Sequence, residues 1–239
     1  MSVLAVLDPA VAVAHAAVDA LAHVLPTALA IVLFTVAVRL ALHPLARAAA
    51  RGEKARAALA PKVAELGRRH KDRPEKHREA LAELYRKEQV SPAAGCLPML
   101  VQIPFFSVMY RLFTTPNDLL DHTLFGVPLG LHAGGAHGAG QVAVFVALEA
   151  GLAAVGFVNF RRARRSAAAA AAAADPKAAP QPGAGLARVM PYLSFGSVVF
   201  ALLVPVAAAL YLLTTSVWST AERAWLYRGA PVPATALAV

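Results

Sequence analysis

Apolar side chains run almost unbroken through residues 24–46, VLPTALAIVLFTVAVRLALHPLA. As a helix this stretch measures about 34 Å, enough to cross a bilayer. The pattern recurs at 95–115, 140–160 and 190–226. The last run is long enough for two short spans, 190–205 and 206–226, with a break predicted at Val204-Pro205-Val206. Pro98 and Pro104 are expected to bend the second span. Between the first two spans the pattern becomes amphipathic. Leu59, Val63 and Leu66 fall on one face of a helix, and Leu81, Leu84 and Tyr85 on one face of another. His70-Lys71-Asp72-Arg73-Pro74 separates them as a stop and turn, so residues 47–91 predict an antiparallel helical hairpin in water. Ahead of the first span, His15, Asp19 and His23 recur every fourth residue among Ala and Val over 9–23. That is the pattern of a helix lying on a membrane surface.

Composition places these runs in one class. The chain is 58% hydrophobic and 15% charged, and its mean hydropathy is +0.56, which excludes an ordinary soluble domain. The net charge of +9 could suggest nucleic acid, but the basic residues are confined to particular loops. Residues 47–91 hold 13 Lys/Arg against 7 Asp/Glu, and residues 161–188 hold 6 Lys/Arg. Arg223 and Arg228 close the chain, whereas the N-tail 1–23 and the 116–139 loop hold no Lys or Arg. The positive-inside rule then puts the N-terminus outside and the C-terminus in the cytoplasm, with five spans between. Residues 161–188, four arginines followed by an alanine run and a Pro/Gly-bearing stretch, read as a frayed helix and a flexible linker. Residues 227–239 form the cytoplasmic tail. The single Cys96 excludes an intramolecular disulfide and a Cys-rich metal site. No cleaved signal is expected, since Asp8, Pro9 and Asp19 interrupt the early apolar residues and no basic residue precedes Arg39. No Gly-rich phosphate loop ending in Lys-Ser or Lys-Thr occurs. A nucleotide, an enzymatic activity and a cofactor are therefore not expected.

Depth sorts the polar side chains. The outer halves of the spans are nearly all apolar, Thr27, Ser107 and Gln141 aside. The inner halves hold Arg39, Gln102, Asn159, Ser194, Ser197, Thr215, Ser216 and Ser219, with Thr214 and Glu149 near the middle. A guanidinium at the centre of a spanning helix costs roughly 2.5–3.5 kcal/mol, so it faces protein or water. Snorkelling is the plain alternative. Arg39 lies about 12 Å from the loop at Arg47, further than its side chain reaches. Interhelical hydrogen bonding is the plain alternative for the Ser and Thr residues. Together they predict a wet, positively charged hollow open to the cytoplasm under an apolar outer layer. Such a hollow suits holding the polar end of a hydrophobic polypeptide partway across the bilayer. Arg39 and Glu149 differ in depth by about 6 Å, so Glu149 is expected to neutralise Arg39 in part.

Two blocks carry a resemblance: IVLFTVAVRLALHPL at 31–45 and YRKEQVSPAAGCLPMLVQIPFFSVMYRLF at 85–113. The closing segment, VMPYLSFGSVVFALLVPVAAALYLLTTSVWSTAERAWLYR at 189–228, resembles the same family more weakly. The chain resembles the membrane-protein insertases that include bacterial YidC, here in a short form like that of Gram-positive and actinobacterial members, and the Oxa-type proteins of organelles. The resemblance implies an all-α integral membrane protein. Its five transmembrane helices would surround an inward-open hydrophilic groove, with a cytoplasmic helical hairpin. It implies that Arg39 is the groove arginine, that Gln102 lies on the second-span motif, and that the hairpin contacts clients and partners. Nascent membrane proteins and the bilayer are the implied partners, with the Sec translocon and the ribosome as further ones, and no small-molecule substrate. The bacterial plasma membrane is the implied location. Leu212 stands where the family often has tryptophan, Thr215 and Ser216 where it often has two asparagines, and the tail GAPVPATALAV lacks a basic run.

The expected function is an insertase that releases client segments into the bilayer, alone or beside the Sec channel. A non-inserting assembly chaperone or scaffold is the alternative, because the departures fall in groove and tail positions. A solute or ion transporter fits the apolar outer half poorly. A metal site at His132 and His137 lacks a third ligand in its Gly-rich loop.

Overall fold

A computed structural model describes residues 7–70, 73–90, 97–173 and 189–228. Cys96, Lys71, Asp72, linker residues 174–188 and tail residues 229–239 lie outside the described residues. So do the side chains of Pro98, Gln102 and Pro104.

Helix α1 spans Asp8–Ala22 and presses Ala14 and Val18 into the bundle. It packs against α2 and α4. Helix α2 runs Thr27–Arg69 without interruption, where the sequence suggests a span at 24–46 and a separate hairpin helix. The reason is local. Residues 46–60, ARAAARGEKARAALA, consist mainly of strong helix formers and offer no stop where the chain leaves the apolar run. Pro44 and Pro61 lie inside the helix, each forgoing one backbone hydrogen bond. Helix α3, Pro74–Lys87, starts on a proline at its first position. It folds back antiparallel on α2: Lys62 pairs with Glu88 at 2.5 Å, and Gly67 faces His77. Leu59, Val63, Leu66, Leu81, Leu84 and Tyr85 are the less exposed positions of this pair.

Helix α4 spans Leu97–Thr114 and α5 spans Ala139–Ala173. The latter runs well past residue 160 into the stretch read as a frayed helix ahead of a linker, because RRARRSAAAA is itself helix-forming sequence. The segment read as a span at 190–205 is shorter. It is a 3-10 helix, Met190–Phe195, continued by α6, Gly196–Ala201. Together they rise about 21 Å. Helix α7, Val206–Leu226, closes the chain, beginning at the predicted proline break.

Between α4 and α5 lies a folded cap. It contains a 3-10 turn, Asp118–Asp121, a hairpin of β1 (Thr123–Leu124) and β2 (Val127–Pro128), and a second 3-10 turn, Ala133–Gly135. No side chain caps the start of α7. Instead Val206 N–H donates to the Leu131 carbonyl (3.0 Å) and Ala207 N–H to the Leu129 carbonyl (2.9 Å). These replace partners that the first turn of a helix lacks.

The core gathers at this capped end. Ala28, Ala30, Ile31 and Thr35 of α2 are buried against Met109, Leu112 and Phe113 of α4, Phe145, Leu148 and Leu152 of α5, and Val206, Ala207, Ala208, Ala209, Tyr211 and Leu212 of α7. Beyond Thr35, α2 buries nothing until Ala49, and beyond Leu212, α7 buries nothing before its end. Apolar side chains such as Leu40, Val146, Phe157 and Val217 point away from the bundle.

Candidate functional site

Helices α2 and α7 make the most extensive contact among the described elements. Residues Tyr211, Thr215, Trp218, Glu222 and Trp225 recur at helical spacing along α7 and share one face. Arg39, His43 and Arg47 share a face of α2 by the same logic. Arg39 donates from Nη2 to Thr215 Oγ1 at 3.3 Å, and its guanidinium carbon lies 5.8 Å from the Phe105 ring centroid. One turn further along α2, His43 Nδ1 meets Glu222 Oε1 at 2.5 Å, and its ring lies tilted against Trp225 with centroids 5.4 Å apart. Arg47 lies over the Trp225 ring at 5.8 Å. Past the helix end, the Tyr227 hydroxyl donates to Glu53, both residues being buried, and Lys54 lies over the Tyr227 ring. The contacts climb both sequences together, so α2 and α7 run parallel.

The opposite side of α7 faces α5. Leu213 packs on Gly151, Asn159 and Thr220 exchange hydrogen bonds of 3.0 and 3.1 Å, and Arg162 donates to the Thr220 carbonyl at 3.0 Å. Helix α7 therefore stands between α5 and α2. This separates Glu149 from Arg39. No ion pair joins them among the described residues, and Glu149 Oε2 is buried without a hydrogen-bond partner. The expected neutralisation of Arg39 by Glu149 is corrected accordingly. Axial depth alone would bring the two together, but they stand on α5 and α2, helices that each pack on α7.

The other expected residues divide between the two sides. Thr215 is at Arg39. Thr214 turns its hydroxyl back to the Leu210 carbonyl at 2.9 Å, a bond within its own helix. Ser219 is half-buried on α7. Ser194 and Ser197 lie on the 3-10 helix and α6, packed against α5, where the Ser194 carbonyl abuts Gly156. Gln102 lies on α4, its side chain outside the described residues. His43, Trp218, Thr220 and Glu222 join the site unforeseen. His43 follows Arg39 by four residues, so its shared face was readable. Glu222 sits among the charges expected at a helix end, and nothing marked it.

Three more polar atoms are buried without partners near this face: Arg39 Nε, Trp218 Nε1 and the Tyr211 hydroxyl, which lies beside Thr215 without a hydrogen bond of good geometry. Such groups each cost about 1–3 kcal/mol if left dry. Arg39, Thr215 and Ser219 are only half-buried.

Two of the described helices, α2 and α5, are long and apolar enough to cross a membrane, and only 22% of each apolar window is buried inside the protein. A core helix of a soluble protein would be mostly covered. The class is therefore that of a mostly helical membrane protein. The profile described as 60Kd inner membrane protein matches residues 20–232. The chain belongs to that family, the YidC/Oxa-type proteins. It is similar to the membrane protein insertase YidC of Caulobacter vibrioides (strain NA1000 / CB15N), 39% identical over 98 residues, covering 41% of this chain and 16% of the relative. It is similar to that of Pelagibacter ubique at 46% over 98 residues, covering 41% and 18%. The YidC of Clostridium perfringens (strain 13 / Type A) matches at 36% over 89 residues, covering 37% of each chain. The matched stretch thus spans under a fifth of the first two relatives.

Proposed function

We propose that the chain is a membrane protein insertase of the bacterial plasma membrane, crossing the bilayer five times with its N-terminus outside and C-terminus inside. Spans at α2, α4, α5, the Met190–Ala201 segment and α7 give that count. The parallel course of α2 and α7 agrees with it, since an odd number of crossings must lie between two parallel spans and the proposed count puts three there. The short fourth crossing is completed by the turn that leads into α7.

One observation carries the mechanism. Burial is concentrated at the capped end, while Arg39 sits just inward of it on half-open helix faces. In the proposed groove, Arg39, Gln102, Thr215 and Ser219 hold the polar end of a client, and the capped core bars water from the outside. The low-dielectric path left to cross is then shorter than a full bilayer. Partition of the client's apolar helix into lipid drives the step. The membrane potential adds about 2.3 kcal/mol per 100 mV for each acidic charge that crosses the whole field. Ser194, Ser197, Thr214 and Glu149 belong to the other side of α7 and are proposed as a second polar lining rather than as partners of Arg39. The hairpin formed by the end of α2 and α3 is proposed to meet clients in the cytoplasm, and with them the ribosome or Sec translocon.

The experiment is reconstitution of the full chain in vesicles with a short, Sec-independent client bearing an acidic tail. Insertion is read as a protease-protected fragment, and the companion assay is complementation of an insertase-depleted bacterium. Arg39→Ala is expected to lower both by about tenfold, the effect of losing one charged contact of roughly 1.5 kcal/mol. Wild-type vesicles that bind the client yet give no protected fragment would instead establish the scaffold reading.

A further inference from the structure

The cap carries one side chain that neither the bundle nor its own backbone explains. Strands β1 and β2 are joined by Phe125 and Gly126, whose φ angles are 52° and 80°. A two-residue turn with both φ values positive is the province of Asn, Asp and Gly. A bulky aromatic in that conformation is an outlier. Phe125 is also 90% exposed, so no packing within the chain offsets the strain. Around it, TLFGVPLG at 123–130 contains no charged residue. Loop tips in water are polar, and this one is not.

Its surroundings say what covers it. Strand β1 packs on the outer end of α2, and His122, one residue before β1, hydrogen-bonds Thr27 in the first turn of that helix. From this turn α2 presents Leu29 and Leu33, 43% and 42% exposed, away from the bundle. On a membrane-spanning helix such a face meets acyl chains. The hairpin lies at the level of that first turn, where the lipid-facing part of the helix begins and aromatic side chains collect at membrane boundaries.

We infer that Phe125 is a lipid anchor, seated in the interfacial layer of the outer leaflet. The occupant of this uncharged, exposed tip is the bilayer, because the tip lies level with the first turn of a helix whose uncovered face is apolar. The anchor has a mechanical consequence. Leu129, just past β2, accepts the Ala207 N–H at the start of α7. Holding the hairpin at a fixed depth therefore holds the outer end of α7 as well. The inference rests on the proposed topology, which places this cap outside.

The test uses the full chain in vesicles, with Phe125→Trp in a Trp218→Phe/Trp225→Phe background. Emission is expected to be blue-shifted, quenched by lipids brominated near the glycerol end of the acyl chain, and spared by aqueous iodide. Cys96→Ser/Phe125→Cys carrying a nitroxide gives the same reading with both native tryptophans kept: greater accessibility to oxygen than to a water-soluble nickel chelate. Quenching by iodide without quenching by bromolipid overturns the anchor. Shielding from both overturns it too and assigns the surface to protein. Cys96→Ser/Asp121→Cys, exposed on the same cap, reports sidedness separately through a membrane-impermeant maleimide. Labelling from outside with a lipid-free residue 125 defeats the anchor alone. Labelling only from inside defeats the topology and with it the outer-leaflet assignment.

Discussion

Arg39 and Tyr227 show two fates of a polar group removed from bulk water. The guanidinium of Arg39 has one long hydrogen bond, to Thr215, and a buried Nε without a partner. That poor satisfaction is what the proposed role of Arg39 in holding a client carboxylate draws on. Tyr227 is fully engaged: its hydroxyl donates to Glu53 and its ring is covered by Lys54. Burial first, and then the hydrogen bond and negative charge of Glu53, hold the Tyr227 phenol well above its ordinary value. A raised value in the folded protein stabilises the fold at every pH below that of a free phenol, near 10, and the contribution fades as pH climbs past it. Tyr227→Phe strands the Glu53 carboxylate and is expected to lower stability by about 1–3 kcal/mol at neutral pH. Thermal unfolding in detergent checks this. The deficit should shrink above pH ~10, where the wild type loses the same interaction. A deficit that stays constant from neutral to alkaline pH counts against the pairing.

At the scale of elements, contact distances set by small residues decide which helices meet. A Cβ built on Gly156 would lie 2.9 Å from the Ser194 carbonyl oxygen and 3.2 Å from the Phe195 ring, so α5 and the 3-10 helix touch through the missing side chain. Gly156→Ala is expected to destabilise by about 1–3 kcal/mol through overpacking. Gly140→Ala, with nothing within 4 Å of the added atom, should be neutral or slightly stabilising, since alanine favours helix. Melting curves of the two variants in one detergent separate packing from propensity. Equal midpoints would mean that the 3-10 helix yields. The apolar runs made the main helices readable, but their ends were set by the residues just beyond each run. Alanine- and arginine-rich sequence carried α2 and α5 onward, and the stretch from Met190 divided between 3-10 and α geometry.

For the whole molecule, the asymmetry of burial is what the proposed mechanism rests on. Thr35 lies in the capped core, whereas Ser219 lies beyond it on a half-open face. In a Cys96→Ser background, Ser219→Cys is expected to react with an impermeant thiol reagent added from the cytoplasmic side of inverted vesicles. Thr35→Cys is expected to react from neither side. Reaction of Thr35→Cys from outside would reveal a continuous aqueous path and favour a transporter. The cap contributes to this closure. At the same end an Asp8–Arg111 ion pair ties α1 to α4, and a His15–Asp118 hydrogen bond ties α1 to the cap.

The chain's own sequence determined the helical class, the main helices, the lone arginine within the first span and the polar bias toward one end. Each follows from composition or from spacing along a single helix. Only the tertiary structure decided which of those polar groups meet. A helix's sequence states how deep a residue sits and which neighbours share its face, but not which way that face is turned. Packing turned Thr215 and Glu222 toward Arg39 and His43, placed α7 between α2 and α5, and closed the capped end with backbone hydrogen bonds from a loop that no helical pattern marks.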